Sequence, residues 1–336
     1  MLESVGSSPG RVTLLGEHTD YNEGTSLAVA TRQRTVVRAV PGPPGLLAVR
    51  SSALGAATVD VAAPVGPPFA VLAAHLARAA GVAGSRLVVD GDLPVGSGLS
   101  SSAAYAVAVA RSLGLGGDAL HVARRCQAAE LAAGSDVGLL DQLVALLARP
   151  RHAVHLDFAA LDGPDAVRHL AIPNAIALSV VDTGVRRAVA ESAYAERRAQ
   201  CAAAAAAVGP LGRATLDDLA GLPDPLLRRR ARHVVTECAR VAAATDALAA
   251  GDLTSLGRLL DEGHASLRDD FEVSVPAVES VRDAVRSMPG VVGVRLCGAG
   301  FGGSLVVAHQ PGSVLEADDR WSSPLEGGPG ATGWSR

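Results

Sequence analysis

The chain contains no lysine, because all 30 of its basic residues are arginine. This absence excludes the sites that need a lysine, including the Walker A loop, the protein-kinase ATP site and Schiff-base catalysis. GC-rich codon usage is a sufficient explanation of the bias, but the chemical consequence is the same. If the protein handles phosphates, arginine side chains, backbone amides, hydroxyls and a metal ion must neutralise them.

Aromatic residues, paired cysteines and long apolar runs are also scarce. Aromatics make up 3% of the 336 residues and the net charge is −4, which argues against nucleic-acid binding through basic patches or base stacking. The four cysteines are far apart and form no C-x-x-C pair, so a zinc site or a disulfide framework is not expected. With no secretory leader pattern and no uninterrupted apolar stretch of about 18 residues, we expect a cytoplasmic protein without a membrane segment.

Strand and helix patterns alternate along most of the chain. Strand patterns lie at 12–15, 26–40, 86–89, 152–156, 176–181, 291–296 and 304–308. Helical patterns lie at 69–80, 103–113, 119–133, 141–148, 188–208, 226–248, 253–266 and 275–286, and the helix at 103–113 is apolar on nearly every face. We therefore predict an α+β protein. From residue 310 onward Pro, Gly and Ser accumulate, which predicts an irregular C-terminal tail at 310–336.

A polar cluster follows the first predicted strand. The segment Pro9–Asn22 reads P-G-R-V-T-L-L-G-E-H-T-D-Y-N, so the strand ends in a glycine and Glu17, His18 and Asp20 come next. Each of these side chains can bind one hydroxyl of a polyol. Since a buried polar group left unpaired costs ~1–3 kcal/mol, such a set discriminates between sugar epimers. A solvated loop is the alternative interpretation of these residues taken alone.

Two glycine-rich segments have different flanks. Pro94–Ala103 reads P-V-G-S-G-L-S-S-S-A and leads into a helix, so its amides and the helix N-terminus suit a phosphate group. An ordinary glycine turn with serine caps is the alternative. Gly298–Gly303 reads G-A-G-F-G-G and contains G-x-G-x-x-G, but a strand rather than a helix follows it, so a dinucleotide fingerprint is excluded. We interpret this segment as a loop between two strands that backs another loop or a ligand.

These three segments, in this order, resemble those of the GHMP small-molecule kinases. The first is similar to the galactokinase signature G-R-x-N-L-I-G-E-H-x-D-Y, and four further segments also match that family: Cys126–Glu130 (C-Q-A-A-E), Gly134–Gln142 (G-S-D-V-G-L-L-D-Q), Ser192–Cys201 and Ser266–Pro276. The resemblance covers about residues 9–308. It implies a two-domain GHMP-kinase fold, with a ribosomal-protein-S5-like N-terminal domain (1–172), a ferredoxin-like C-terminal domain (173–309) and the active site between them.

The resemblance also implies an activity and a set of site residues. The activity is that of an ATP-dependent sugar 1-kinase, which phosphorylates the anomeric hydroxyl of galactose. Asp141 would take the proton from that hydroxyl or orient it, and Arg11 would stabilise the transferring phosphoryl group. The sugar would be held by Glu17, His18, Thr19, Asp20, Gly138 and Tyr194. The ATP phosphates would be held by Gly96, Ser97, Gly98, Leu99, Ser100, Ser101 and Ser102.

A magnesium ion is the remaining group that the resemblance implies. Ser102 and Glu130 would be its ligands, since Mg²⁺ prefers hydroxyl, carboxylate and phosphate oxygens. Taken outside the family pattern, Glu130 reads equally as a solvated helix carboxylate and Asp141 as a helix N-cap. We expect a monomer that binds a small-molecule sugar and ATP and binds neither nucleic acid nor membrane.

Several residues depart from the galactokinase pattern. Thr13 stands where the family usually has asparagine, and Asp136-Val137 replaces a typical Pro-Cys pair. Ala104-Tyr105-Ala106 replaces Ser-Leu-Glu, and the tail shows no recognisable closing strand. Two alternatives therefore stay open. One is a GHMP kinase for N-acetylgalactosamine, another hexose or a cyclitol. The other is a catalytically inactive sugar-sensing protein on the same fold, and the joint retention of Arg11, Glu130 and Asp141 argues against it.

Overall fold

The computed structural model describes residues 3–186, 190–313 and 323–324. Its strands are β1 (Ser4–Leu15), β2 (Thr25–Pro41), β3 (Leu46–Ser51), β4 (Gly55–Asp60), β5 (Ser85–Gly91), β6 (His152–Asp157), β7 (Val167–Ala171), β8 (Ala177–Asp182), β9 (Val291–Cys297), β10 (Ser304–His309) and β11 (Ser323–Pro324). Its α-helices are α1 (Pro68–Ala79), α2 (Ser101–Ser112), α3 (Ala119–Ala132), α4 (Leu140–Leu147), α5 (Ala190–Val208), α6 (Pro225–Ala250), α7 (Leu253–Asp269) and α8 (Pro276–Arg286). The predicted α+β class is confirmed.

The first half of the chain is built on a seven-stranded sheet. Its order is β4-β3-β5-β2-β6-β7, with β1 paired antiparallel to β2. Helix α2 packs against β1 and β2 and is buried on nearly every face, as its sequence predicts. Its small side chains let the backbones approach closely, and a Cβ on Gly6 of β1 would lie 2.1 Å from the Ala108 carbonyl oxygen. The N-terminus of α2 is thereby fixed beside the end of β1.

The second sheet has the order β11-β8-β10-β9, and its neighbouring strands are antiparallel. Helices α7 and α8 pack against β9, and α6 packs against α7. The loop Gly298–Gly303 joins β9 to β10, so it lies between two strands, as expected. The pairing of Ser323–Pro324 with β8 supplies a closing strand that the sequence did not reveal. The rest of the predicted irregular tail, 314–322 and 325–336, lies outside the described residues.

Besides β11, three strands, β3, β4 and β7, are absent from the sequence prediction. Strand β4 consists largely of glycine, alanine and threonine (G-A-A-T-V-D), and every strand of this group is partly exposed. Such segments carry a weak strand signal, because strand formation there depends on pairing with a neighbour rather than on local preference. In addition β2 continues to Pro41, one residue beyond the predicted strand at 26–40. Within the described ranges, no helix has the length and apolar character needed to cross a membrane.

Candidate active site

Most of the predicted site residues line one cavity of about 460 Å³. The cavity lies where the end of β1 meets the N-termini of α2 and α4, with α3 and α5 at its sides. The predicted residues in its wall are Arg11, Glu17, His18, Asp20, Gly96, Gly98, Ser100, Ser101, Ser102, Glu130, Gly138, Asp141 and Tyr194. The fold thus brings the polar segment after β1, the glycine-serine loop and the 134–142 segment to one place.

Asp141 is held by two donors at the start of α4. Arg11 Nε donates to Oδ1 at 2.7 Å, and Ser100 Oγ donates to Oδ2 at 2.5 Å. The Arg11 Nη1 atom also donates to the Gly98 carbonyl oxygen at 3.0 Å, so this guanidinium joins the carboxylate to the glycine-serine loop. Burial works against the charged form of Arg11, but the attraction of Asp141 and Glu17 outweighs it and raises the pKa of Arg11. A permanent cation therefore lies beside a carboxylate at the centre of the cavity.

Glu130 forms a second buried carboxylate site. Its side chain is only 1% exposed, and it accepts hydrogen bonds from Ser102 Oγ at 2.6 Å and from Gln142 Nε2 at 2.5 Å. Burial raises the pKa of Glu130 to about 7, although both hydrogen bonds work in the other direction. The solvated-helix alternative for Glu130 is therefore wrong, because its carboxylate points inward to Ser102 in the first turn of α2.

His18 lines the cavity and has one buried, unpartnered polar atom. It has a left-handed backbone (φ 65°), and its ring packs on Phe271 with centroids 4.4 Å apart. Nδ1 lies 3.0 Å from the Tyr21 hydroxyl, whereas Nε2 is buried and has no hydrogen-bond partner among the described residues. Burial, and then repulsion by His233, lower the pKa of His18 far below its usual value, so the ring is neutral. A ligand hydroxyl at Nε2 would remove the ~1–3 kcal/mol cost of this unpaired atom.

Asp20 and Gly138 are in close contact. The Asp20 carboxylate accepts hydrogen bonds from the backbone N–H groups of Tyr21 and Leu140. A Cβ on Gly138 would lie only 1.6 Å from Asp20 Oδ2, so a larger residue there would displace the Asp20 carboxylate. Burial, and then repulsion by Asp141, raise the pKa of Asp20 to about 6. Gly138 therefore makes room for Asp20.

The glycine-rich loop between β9 and β10 supports Glu17. The backbone N–H of Gly298 donates to Glu17 Oε1 at 2.5 Å. Burial raises the pKa of Glu17 to about 7 against the attraction of Arg11 and Arg295. The expectation that this glycine loop backs another loop is confirmed by this contact.

Two side chains of helix α6 support the polar segment that follows β1, and neither of them was predicted from the sequence. Glu237 accepts a hydrogen bond from the Gly16 N–H at 2.7 Å, and His233 Nε2 donates to the Glu17 carbonyl oxygen at 3.2 Å. Both side chains are fully buried. Glu237 also pairs with Arg295 at 2.6 Å and with Arg240 at 2.8 Å. The available signal was their i, i+4 spacing among apolar residues, which places two polar groups on one buried face.

The side chains of three residues in the predicted ligand-binding segments bond or pack within the protein. The Thr19 hydroxyl is fully buried and bonds to the Gly16 and Thr25 carbonyl oxygens. Ser97 donates to the Pro94 carbonyl oxygen, and Leu99 packs in the hydrophobic core. None of these three side chains is part of the cavity wall, because the local backbone turns them inward.

An ion pair joins the 134–139 loop to α5 at the edge of the cavity. Arg198 Nη1 donates to Asp136 Oδ1 at 2.5 Å, and both side chains are partly exposed. The Arg198 guanidinium also lies over the Tyr21 ring, 4.9 Å from its centroid. Asp136, one of the departures from the family pattern, is therefore paired and lies in the cavity wall.

A second cavity of about 340 Å³ adjoins the first, and both have Ser101, Ser102 and Ser135 in their walls. Its other side is formed largely by apolar groups, including Phe69, Leu72 and Tyr105. The Tyr105 hydroxyl donates to the Phe69 carbonyl oxygen at 3.0 Å. A polar cavity and a more apolar one thus meet at the glycine-serine loop, which suits a ligand with a phosphate in the middle and a flat ring at one end.

Sequence comparisons match the chain to known families. The galactokinase galactose-binding signature matches residues 3–41, and the N-terminal and C-terminal domains of GHMP kinases match residues 69–149 and 244–326. A galactokinase from Roseiflexus sp. (strain RS-1) is 38% identical over 334 residues, which cover 91% of this chain and 83% of that protein.

Structural comparisons give a consistent result. The structure of Lactococcus lactis galactokinase complexed with galactose matches with a TM-score of 0.83 and 28% identity, over 92% of this chain and 86% of that one. The mevalonate kinase of Methanococcus jannaschii matches with a TM-score of 0.64 over 93% of this chain and 92% of that one. At 13% identity, that second similarity concerns the fold alone.

Proposed function

Because this chain belongs to the galactokinase family of the GHMP kinases, we propose that it transfers the γ-phosphoryl group of ATP to the anomeric hydroxyl of galactose. The products are galactose 1-phosphate and ADP. The observation that carries the proposal is the Arg11–Asp141 pair, which lies between the polar segment that follows β1 and the glycine-serine loop. A base for the acceptor hydroxyl and a cation for the phosphoryl group are therefore adjacent.

The proposed reaction is an in-line displacement. The anomeric oxygen of the sugar attacks the γ-phosphorus, and the bond from that phosphorus to the β–γ bridging oxygen breaks, so ADP leaves. Asp141 accepts the proton of the anomeric hydroxyl, and Arg11 stabilises the charge on the transferring group. Proton acceptance and charge stabilisation depend mainly on the position and charge of the side chains. The hydrogen bond between Arg11 and Asp141 holds both side chains in position for these tasks.

Sugar binding is assigned to the segment after β1 and to α5. In this proposal the Nε2 atom of His18, which has no hydrogen-bond partner among the described residues, binds one sugar hydroxyl, and the carboxylates of Glu17 and Asp20 bind others. Tyr194, whose ring centroid lies 5.7 Å from that of His18, closes the same region. Discrimination follows because an epimer with one displaced hydroxyl leaves one of these buried groups unpaired.

ATP binding is assigned to the glycine-serine loop and the second cavity. Backbone amides of the loop and the N-terminus of α2 attract the phosphates, and the apolar groups around Phe69 and Tyr105 would receive the base. Since the chain has no lysine, the side-chain cations of the two cavities are arginines, with Arg11 in the wall of the first and Arg34 in the wall of the second. The rest of the neutralisation would come from a metal ion.

Magnesium fits the donors at Glu130. Ser102 and Glu130 offer one hydroxyl and one carboxylate, which is the small protein contribution typical of Mg²⁺ held jointly with nucleotide phosphates. Burial raises the pKa of Glu130, and a cation beside it would stabilise the charged form. The metal would supply charge neutralisation at the phosphate oxygens.

Calorimetry would test the metal assignment directly. Glu130→Ala should weaken the Mg²⁺-dependent gain in ATP affinity at least ten-fold, whereas ATP affinity without Mg²⁺ should change little. Glu262→Ala, at an exposed position on α7, is the matched control and should behave like the wild type. Equal Mg²⁺ dependence in all three proteins would contradict the assignment.

An ADP-release assay across a panel of hexoses tests the function itself. We expect galactose to be preferred over glucose, its C4 epimer, by roughly ten- to a hundred-fold in kcat/KM, because one charge-assisted hydrogen bond is worth ~1.5–3 kcal/mol. Asp20→Asn should reduce turnover of galactose more than that of glucose. Activity only on N-acetylgalactosamine or a cyclitol would overturn the galactose assignment. Galactose binding without ADP release from any acceptor would favour the sugar-sensing alternative.

A further inference from the structure

Ser100 has an unusual conformation for a residue at its position. It is the N-cap of α2, where a serine normally accepts a hydrogen bond from the second or third N–H group of the helix. Here its side chain makes no capping bond, and its backbone is left-handed, with φ 58° and ψ 44°. Serine adopts this region rarely, and residues held there cluster at functional sites.

The Ser100 hydroxyl, which makes no capping bond to its own helix, is bonded to Asp141. The Ser100 Oγ donates to Asp141 Oδ2 at 2.5 Å, while Arg11 donates to Oδ1. Both oxygens of the carboxylate therefore have a protein donor, which fixes the plane of the group and not only its distance from Arg11. Two residues later, Ser102 donates to Glu130 instead. The serines of one loop thus serve two different carboxylates.

We infer that Ser100 is a positioning residue for Asp141 and not a phosphate ligand through its side chain. This inference rests on the proposed kinase reaction, in which the carboxylate must meet the anomeric hydroxyl in a fixed orientation. A carboxylate held at both oxygens keeps one orientation when the sugar arrives. The strained backbone of Ser100 is the local cost of directing the hydroxyl to α4 rather than to its own helix.

Two substitutions at Ser100 separate its hydroxyl from its backbone. Glycine removes the hydroxyl but adopts a positive φ freely, whereas threonine keeps the hydroxyl and is strained by its branched Cβ. We expect Ser100→Gly to be at least as thermostable as the wild type, with kcat lower by about ten- to a hundred-fold. Ser100→Thr should be less thermostable than Ser100→Gly and yet more active. A purely structural role would make activity follow stability.

Binding measurements complete the test. With Ser100→Gly, the Kd values for ATP and for the sugar should stay within about three-fold of the wild type, because positioning acts on kcat. Ser101→Gly, in the wall of both cavities, should instead weaken ATP binding. The inference is overturned if Ser100→Gly retains wild-type kcat, loses ATP affinity as Ser101→Gly does, or is as active as Ser100→Thr. Because each variant is compared with the wild type on whichever acceptor it phosphorylates, a different sugar preference would not affect the result.

Discussion

Replacing Glu237 by glutamine should destabilise the protein, because it leaves the charge of the buried Arg295 without its carboxylate partner. Arg295 is fully buried, and Glu237 Oε1 lies 2.6 Å from its Nη2. None of the three guanidinium nitrogens of Arg295 has a hydrogen bond of normal geometry among the described residues, so its contact with Glu237 is an ion pair. A Cβ on Gly263 would lie 2.0 Å from Nη1, so helix α7 packs directly against the guanidinium. Glu237 is therefore the group that compensates this charge at bonding distance.

The magnitude follows from the cost of a buried, uncompensated charge. Breaking a buried ion pair by removing one partner costs ~3–5 kcal/mol. With an unfolding entropy of about 2.1 cal/mol/K per residue, a change of 1 kcal/mol shifts the Tm of a 336-residue chain by roughly 1.4 °C, so Glu237→Gln should lower the Tm by roughly 4–7 °C. Glu262→Gln is the matched control, because its partner Arg258 forms an exposed i, i+4 pair. Such pairs are worth ~0.3–0.5 kcal/mol, so the control should differ little from the wild type.

The stability difference should also depend on pH. Burial alone would raise the pKa of Glu237, but Arg295 and Arg240 more than offset it and hold that pKa far below its usual value. A carboxyl group whose pKa is lower in the folded state contributes stability above its unfolded pKa of about 4.3, and that contribution is lost as the pH falls below it. Urea unfolding of the wild type and Glu237→Gln should give a gap that is constant near neutral pH and narrows in acid. A gap smaller than about 1 kcal/mol at pH 7 would refute the reasoning.

Three further substitutions test the cavity. Asp141→Asn should abolish ADP release while leaving the Kd values for galactose and ATP within a few-fold, and near-normal turnover would contradict its role as base. Gly138→Ala should raise the KM for galactose at least ten-fold, because the new Cβ would lie 1.6 Å from Asp20 Oδ2; an unchanged KM would show that Asp20 needs no such space. Asp136→Asn removes a partly exposed ion pair with Arg198, so the free energy of unfolding should fall by less than about 1 kcal/mol. A larger loss on thermal unfolding would show that this pair is more than a surface contact.

The sequence determined the parts of the site that lie within short segments. Asp20 was predicted from the run of polar residues after the first strand pattern, whereas Arg11 and Asp141 were predicted because their segments resemble those of the galactokinase family. The buried helix α2 was predicted from its own residues, since they are apolar on nearly every face. The absence of lysine is also a sequence property, and it leaves arginine as the only side chain with a permanent positive charge for a phosphate site.

The tertiary structure decided where individual side chains point and which distant groups support them. Thr19 and Ser97 belong to the predicted segments, but their backbone turns their hydroxyls onto nearby carbonyl oxygens. The hydroxyl of Ser100 points instead to Asp141, because the left-handed backbone of this residue redirects its side chain. A serine in the sequence does not predict that conformation, since residues other than glycine adopt it rarely. Glu237 bonds a backbone N–H that lies 221 residues earlier. No local pattern encodes such a contact, since it forms only when α6 packs beneath the end of β1.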